Sequence, residues 1–131
     1  MIKITASTGK DRYKTDIKTD HNAIVSDEPE SMGGKNLGFT PSQLLASSLA
    51  SCTGITLRMY ADRKGWPLDE TMIDVTFDNK PAEKNPAMTM NIRVFGALDQ
   101  KQRERLLEIA HNCPIHKILD KSITISTVLK D

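Results

Sequence analysis

Apolar and polar side chains alternate over short stretches in the first 29 residues of the chain. Alternation with a period of two is typical of β-strands, so this region predicts two or three short antiparallel strands. Residues 8–11 suit a hairpin turn, because Gly9 can take a positive φ without steric cost. A stretch without periodicity follows at residues 30–39 and predicts a loop. The alternating apolar positions are Ile2, Ile4, Tyr13, Ile17, Ala23 and Val25.

A long helix is predicted to begin after Thr40. Thr40 suits the N-cap, Pro41 the first helical position and Gln43 the third, which together form a capping box. Gly65 followed by Pro67 predicts the end of the helix, after roughly 24 residues or about 36 Å. Five residues at helical spacing predict an inward-facing stripe that includes a cysteine: Leu45, Leu49, Cys52, Thr56 and Met59.

The second half of the chain predicts two longer strands, two further helical segments and a last strand. Alternation at residues 72–78 and 87–96 predicts an antiparallel pair joined by a Pro- and Lys-rich loop at residues 79–86. Asp99 and Gln102 form a second capping box, which opens a helix with an apolar side that ends near residue 112. Cys113 then suits the N-cap of a short helical turn that starts at Pro114. Alternation at residues 122–129 predicts a final strand, and the whole pattern predicts an α+β fold. The apolar side of the second helix consists of Leu106, Leu107, Ile109 and Ala110.

Length and charge narrow the class of protein. The 131 residues, 38% of them hydrophobic, fit one globular domain over residues 1–131. The chain has 18 Lys and Arg against 17 Asp and Glu, with no basic run interleaved with aromatic residues, which disfavours nucleic-acid binding. No segment has the pattern of a signal or a membrane span, so we expect a soluble cytoplasmic protein. That reducing compartment disfavours a permanent structural disulfide.

The two cysteines have different local surroundings. Cys113 is predicted at a helix N-terminus with His116 and Lys117 one turn away, which would lower the pKa of its thiol. A small residue filling an apolar gap at a helix junction explains Cys113 equally well. Cys52 lies in the middle of a helix, where burial would raise its pKa and make it inert unless another segment supplied a cation.

Metal and cofactor sites are disfavoured by spacing. Structural zinc sites bring two ligand pairs at short spacing, and the chain offers only one such cluster. A cysteine and histidine nucleophilic pair is conceivable, but no hydrolase signature accompanies it. The glycine loop lacks the strand and helix context of a phosphate cradle, so we expect no flavin, haem or nucleotide. The cluster is formed by His111, Cys113 and His116. The histidines available to a nucleophilic pair are His21, His111 and His116, and the loop glycines are Gly33, Gly34 and Gly38.

Three stretches of the sequence resemble the OsmC/Ohr family of thiol-dependent peroxide-resistance proteins, and most closely its broad OsmC-like branch. They read DEPESMGGKNLGFTPSQLLASSLASCT, LRMYADRKGWPL and RERLLEIAHNCPIHKIL. The resemblance implies an intertwined homodimer with antiparallel sheets around long central helices, and an active site at the subunit interface. It also implies a small hydroperoxide substrate and a dithiol reductant.

The resemblance also implies site residues. Cys52 matches the family's peroxidatic cysteine, which becomes a sulfenic acid, and Cys113 matches the resolving cysteine, which closes a disulfide. The family's glutamate near the start of the long helix is absent here, and the candidate positions are Ser42 and Gln43. Lys10 is the best match for the family's N-terminal arginine, and Arg12 lies two residues on.

The expected function is therefore reduction of organic hydroperoxides by a cysteine-based peroxidase. Apolar residues around Cys52 favour an alkyl hydroperoxide over hydrogen peroxide. Because the family glutamate is missing, a non-catalytic dimer that binds a hydrophobic small molecule in its interface pocket is the alternative, and a family member without turnover is a third reading. The apolar residues are Leu45, Leu49, Ile55 and Met59.

Overall fold

The fold mixes α-helices with antiparallel β-sheets, as the sequence predicts. The structure is a computed structural model that describes residues 1–78 and 85–130, so most of the predicted loop at residues 79–86 lies outside the described residues. The chain divides into two compact units, Met1–Leu45 and Ala46–Asp131. The elements are β1 (Thr5–Thr8), β2 (Thr15–Lys18), β3 (Ala23–Ser26), a 3-10 turn (Glu30–Met32), α1 (Pro41–Lys64), β4 (Glu70–Asp78), β5 (Ala87–Phe95), α2 (Gln100–Ala110) and α3 (Pro114–Leu119).

The first unit contains a three-stranded antiparallel sheet in the order β1-β2-β3, which confirms the predicted strands. Thr8 pairs with Thr15 at the hairpin end, and their hydroxyl oxygens lie 2.7 Å apart. After β3 the chain loops out and returns, so that Phe39 forms a bridge with Ser26. Gly38 is required at this return because a Cβ there would overlap the carbonyl oxygen of Val25.

Helix α1 begins and ends where the sequence predicts. The Thr40 N–H donates to the Gln43 side chain at 2.9 Å, and the Gln43 N–H donates to the Thr40 hydroxyl at 3.2 Å. These two reciprocal bonds form the predicted capping box. Gly65 follows the helix with φ 68°, a left-handed conformation that glycine adopts without penalty.

The face of α1 that is buried differs from the predicted stripe. Leu45 is 42% exposed and Met59 is 67% exposed, while Cys52 is half-buried at the edge of the buried face. The observed face is rotated around the helix by about 90° from the predicted stripe, so Leu49 is the one predicted residue that is buried. The buried residues of α1 are Leu49, Thr53, Leu57, Tyr60 and Ala61.

The core of the second unit lies between α1, α2 and the β4-β5 pair. The two strands pair antiparallel over their whole length, with Ile73 opposite Ile92 and Val75 opposite Met90, as the alternation predicts. Helix α2 starts with the predicted Asp99–Gln102 capping box. Leu107 was predicted to face inward but is 56% exposed, because it lies about 100° around the helix from Leu106, beyond the edge of the buried face. The core residues are Leu57, Tyr60, Ala61, Leu68, Leu106, Ile109 and Ala110.

The predicted last strand is absent. Residues 122–130 have no regular secondary structure and are exposed along their whole length. A strand needs a neighbouring backbone to satisfy its N–H and C=O groups, and none of the described strands of this chain pairs with the segment. Over the described residues, no helix has both the length and the apolar character needed to cross a membrane.

Candidate functional site

The structure brings the two cysteines together. Cys52 lies in the middle of α1, and Cys113 directly precedes α3. Both are free thiols whose side chains interact with each other. Their exposure differs, since Cys52 is half-buried and Cys113 is 0% exposed. The pair therefore presents one sulfur to the solvent side and keeps the other inside the unit.

Cys113 is the sulfur that carries negative charge more readily. Burial, the largest single effect, pushes the pKa of its thiol upward, but hydrogen bonding from Cys52, from the backbone N–H groups of His116 and Ile115 and from Thr53 outweighs it. The net result is a pKa of Cys113 below its ordinary value. Cys113 occupies the predicted N-cap position, with Pro114 as the first residue of α3. Its anionic form is favoured by the N–H groups of Ile115 and His116 in the first turn of α3.

Cys52 keeps its proton more strongly. Burial raises the pKa of the Cys52 thiol most, and donation to Cys113 together with the nearby negative charge raises it further. The Ile115 N–H and the Thr56 hydroxyl act in the opposite direction and only reduce the shift. Cys52 is thus the donor and Cys113 the acceptor of the pair.

The predicted neighbour His116 acts through its backbone. Its N–H favours the Cys113 thiolate, while its ring points elsewhere, with Nδ1 lying 3.2 Å from a carboxylate oxygen of Asp120. The His111 ring packs edge-on against the His116 ring at 5.8 Å between centroids. Across residues 1–78 and 85–130, no group of three or more His, Cys, Asp or Glu side chains is arranged to hold a metal ion.

Two threonines of α1 belong to the site, and sequence reasoning did not identify their role. Thr53 is 0% exposed, and its hydroxyl donates to the Leu49 carbonyl at 2.8 Å and lies 3.4 Å from the Met90 sulfur. Thr53 interacts with Cys113, whereas Thr56 interacts with Cys52. The signal that could have found Thr53 is its polar side chain on a buried helical face next to a cysteine.

The other predicted site residues lie in the first unit. Lys10 and Arg12 are exposed on the connection between β1 and β2. Gln43 is held by Thr40 in the capping box at the start of α1. The side-chain oxygen and the backbone N–H of Gln43 therefore both take part in capping the helix.

A buried carboxylate holds the predicted loop at residues 30–39 in place. Asp27 is 2% exposed, and its two oxygens accept N–H bonds at 2.7–3.2 Å. Burial alone would raise the pKa of Asp27, but these backbone donors outweigh it and lower the pKa below its ordinary value. The loop is therefore folded around a charge within the first unit. The donors are the N–H groups of Leu37, Glu28, Tyr13 and Lys35.

A separate open groove of about 470 Å³ lies between β5 and α2. Its lining is mostly apolar but includes Arg103, which donates to the carbonyls of Val94 at 3.0 Å and Gly96 at 3.4 Å. Neither cysteine lines this groove, so it is distinct from the thiol pair.

Comparisons with known proteins agree with this fold. The family model described as OsmC-like protein matches residues 33–128. The structure of an OsmC-like protein from Mycoplasma pneumoniae is similar with 20% identity and a TM-score of 0.79, over 92% of this chain and 87% of that one. A putative osmotic stress induced and detoxification response protein from Psychrobacter arcticus has 26% identity and a TM-score of 0.78, over 90% and 88% of the two chains.

The organic hydroperoxide resistance protein OhrB of Bacillus subtilis is similar as well. It shares 24% identity with a TM-score of 0.61, over 90% of this chain and 89% of that one. A comparison with curated proteins gave no match.

Proposed function

Because the chain belongs to the family of OsmC-like proteins, we propose that it is a thiol-dependent peroxidase that reduces organic hydroperoxides. The observation that carries this proposal is the direct interaction of Cys52 with Cys113 inside the second unit. A sulfenic acid formed on one sulfur would have the other thiol beside it, as disulfide closure requires. The substrate class is supported by similar structures that are named organic hydroperoxide resistance proteins.

Cys52 is the attacking sulfur in this proposal because it is the more exposed of the two. When the pair loses one proton, Cys113 carries the negative charge and Cys52 keeps its proton, because the pKa of Cys113 is lowered and that of Cys52 is raised. Cys52 passes that proton to Cys113 as its sulfur attacks the outer oxygen of the hydroperoxide, and the oxygen–oxygen bond breaks. The alkoxide leaves, takes up a proton from solvent and becomes the alcohol, while Cys52 is left as a sulfenic acid.

Cys113 then attacks the Cys52 sulfur. The sulfur–sulfur bond forms as the sulfenic hydroxyl leaves, and the Cys113 proton converts it to water. One hydroperoxide is reduced to an alcohol and water while the two thiols are oxidised to one disulfide. An external dithiol reduces that disulfide by exchange and returns both thiols.

Assembly and location complete the proposal. We place the protein in the cytoplasm as a homodimer, as the family resemblance implies. Ile55 is 55% exposed and Met59 is 67% exposed on the same helix as Cys52, and a second subunit would cover such apolar side chains. The roles of Lys10 and Arg12 as cations for the Cys52 thiolate rest on the resemblance alone, and single substitutions of each test them.

The test follows thiols and intact mass after reduced protein meets an alkyl hydroperoxide. Wild type should lose both thiols to an intramolecular disulfide, Cys113→Ser should trap a sulfenic acid on Cys52, and Cys52→Ser should react far more slowly. Hydrogen peroxide at equal concentration serves as the comparison substrate and should react more slowly. Survival of both thiols in excess peroxide would overturn the proposal, and a sulfenic acid on Cys113 in the Cys52→Ser variant at the wild-type rate would reverse the two roles.

A further inference from the structure

The Asp27 carboxylate binds two separate stretches of the first unit. One of its oxygens accepts the Tyr13 N–H at 3.0 Å and the Glu28 N–H at 2.7 Å. The other oxygen accepts the N–H groups of Lys35 at 3.2 Å and Leu37 at 3.1 Å. Tyr13 lies in the connection between β1 and β2, whereas the other three donors follow β3. Asp27 therefore ties the β1–β2 connection to the loop after β3.

The bond to Tyr13 fixes the backbone on which Arg12 stands. The Tyr13 N–H belongs to the peptide bond that joins Arg12 to Tyr13. The Tyr13 ring also lies against Gly33, 3.4 Å from the position that a Cβ would occupy there. Asp27 is 2% exposed, and so deeply buried a charge is unfavourable unless it is hydrogen-bonded as fully as it is here. The fold thus uses a buried charge to hold the end of the connection that contains Arg12.

The other candidate cation of the connection, Lys10, has no such anchor. Lys10 follows Gly9, and apart from the chain neighbours no atom lies within 4 Å of where a Cβ on Gly9 would be. Within the part of the chain that the structure describes, neither the Lys10 ammonium nor the Arg12 guanidinium forms a hydrogen bond or an ion pair. Arg12 therefore combines an available positive charge with a fixed backbone, whereas Lys10 has only the charge.

We propose that Asp27 is a positioning residue that holds Arg12 in place, and that Arg12 rather than Lys10 is the cation for the Cys52 thiolate. A side chain on a fixed backbone loses less conformational freedom when it forms an ion pair, so it stabilises the anion more. The need for a cation rests on the proposed function, but its effect on thiolate formation can be measured without peroxide.

The experiment measures how fast iodoacetamide alkylates Cys52 as the pH is varied, because the thiolate is the reactive form. In a Cys113→Ser background Cys52 is the single cysteine of the chain. Asp27→Ala removes the acceptor of all four N–H bonds, and Arg12→Ala removes the guanidinium. The double variant combines the two changes.

Arg12→Ala should move the midpoint of alkylation to higher pH and slow the reaction near neutral pH about tenfold, because a neighbouring opposite charge is lost. Asp27→Ala should move the midpoint in the same direction. Loss of the Asp27 charge would by itself favour a thiolate, so positioning and a direct charge effect have opposite signs. The double variant should react no more slowly than Arg12→Ala, because a residue that acts through Arg12 has no effect in its absence.

Two further variants are controls. Asp20→Ala removes the same charge at an exposed turn and should leave the midpoint in place. In a Lys10→Ala background Asp27→Ala should keep its full effect, because Lys10 is not the residue through which Asp27 acts.

A midpoint that moves to lower pH in Asp27→Ala would identify a direct charge effect and overturn the inference. So would an unmoved midpoint in Arg12→Ala, losses that add in the double variant, an equal shift in Asp20→Ala, or an effect of Asp27→Ala that disappears in the Lys10→Ala background. Thermal melts establish folding, and Asp27→Asn replaces Asp27→Ala in every comparison if the latter does not fold.

The two proposals fail separately. If peroxide leaves the wild-type thiols intact while Arg12→Ala and Asp27→Ala still shift the alkylation midpoint, the peroxidase proposal fails and the inference on Asp27 stands. If peroxide closes the disulfide while neither variant moves the midpoint, the inference fails alone.

Discussion

Cys52 and Cys113 interact as hydrogen-bond donor and acceptor, although one lies in the middle of a long helix and the other just before a short one. The consequence is an unequal pair. The sulfur better able to carry charge is fully buried, and the sulfur that keeps its proton is the one nearer to solvent. The thiol that ionises more readily is thus the less accessible one. In the proposed mechanism, transfer of the Cys52 proton to Cys113 makes the accessible Cys52 sulfur the nucleophile.

The two thiols should ionise in a defined order. Two backbone N–H groups and the Thr53 hydroxyl oppose the effect of burial on the pKa of Cys113, whereas one N–H and the Thr56 hydroxyl do so for Cys52. Because these groups remain in both variants, the single thiol of Cys52→Ser should ionise at lower pH than the single thiol of Cys113→Ser. The measurement is thiolate absorbance against pH, with the wild type expected to show both steps. The opposite order in the two variants would contradict the charge distribution described for the pair.

The pKa shifts of Cys113 and Cys52 make the stability of the fold depend on pH in opposite ways. For Cys113 the folded pKa is below the unfolded value, so its stabilising contribution is full above the unfolded pKa and is lost as pH falls through the folded pKa. For Cys52 the folded pKa is above the unfolded value, so its contribution is full below the unfolded pKa and is lost as pH rises through the folded pKa. Urea midpoints of the two serine variants, measured across the alkaline range, should therefore diverge from wild type in opposite directions.

Asp27→Asn should destabilise the protein most at neutral pH. One Asp27 oxygen accepts from Tyr13 and Glu28 and the other from Lys35 and Leu37, so an amide nitrogen would face two N–H donors. The pKa of Asp27 is lowered in the fold, so the contribution of the carboxylate is present above the unfolded value of about 3.9 and is lost as pH falls through the folded value.

Urea unfolding at neutral and acid pH measures this effect. The gap between wild type and Asp27→Asn should narrow in acid, whereas Asp20→Asn, at an exposed turn, should match wild type throughout. A gap that stays constant with pH would show that the charge of Asp27 is not what holds the loop.

Neighbouring leucines of α2 should respond very differently to truncation. Leu106 is 1% exposed and Leu107 is 56% exposed. Leu106→Ala should lower the free energy of unfolding by about 2–5 kcal/mol, because it leaves a cavity in the core. Leu107→Ala should cost less than about 1 kcal/mol. Denaturant melts measure both, and an equal loss in the two variants would mean that another surface covers the exposed side of α2.

The elements that the sequence predicts well are those determined by nearby residues. Both capping boxes, at Thr40 with Gln43 and at Asp99 with Gln102, formed as predicted because each bond joins residues three apart. The β4-β5 pair also followed its alternation, since opposite faces of a strand separate at a period of two.

The errors concern features that depend on distant partners. The buried face of α1 includes Thr53 and Ala61, whose burial is decided by the elements that pack on the helix. Residues 122–129 alternate like a strand, but a strand forms only beside another one. For the site, the position of Cys113 before α3 was predictable locally, while its pairing with Cys52 came from the family resemblance. The surroundings of Thr53 depend on which distant elements pack against α1, and the local sequence does not reveal them.

Substitutions of Gln43 can distinguish a structural role of this residue at the start of α1 from a role in the thiol chemistry. Its side chain and its N–H both bond to Thr40, so Gln43→Ala should remove one capping bond and cost about 0.5–1.5 kcal/mol. Gln43→Glu should keep the cap, because glutamate suits the third position and a negative charge is favourable at a helix N-terminus.

If capping is the whole role of Gln43, both variants should close the Cys52–Cys113 disulfide at the wild-type rate when assayed well below their melting temperatures. Thermal melts give the stability of each variant, and loss of thiols after an alkyl hydroperoxide gives the rate. A rate that falls in Gln43→Ala and rises in Gln43→Glu would mean that this position acts on the thiol chemistry. Equal rates with unequal stabilities would instead show that Gln43, a candidate for the family's glutamate position, serves only to start the helix.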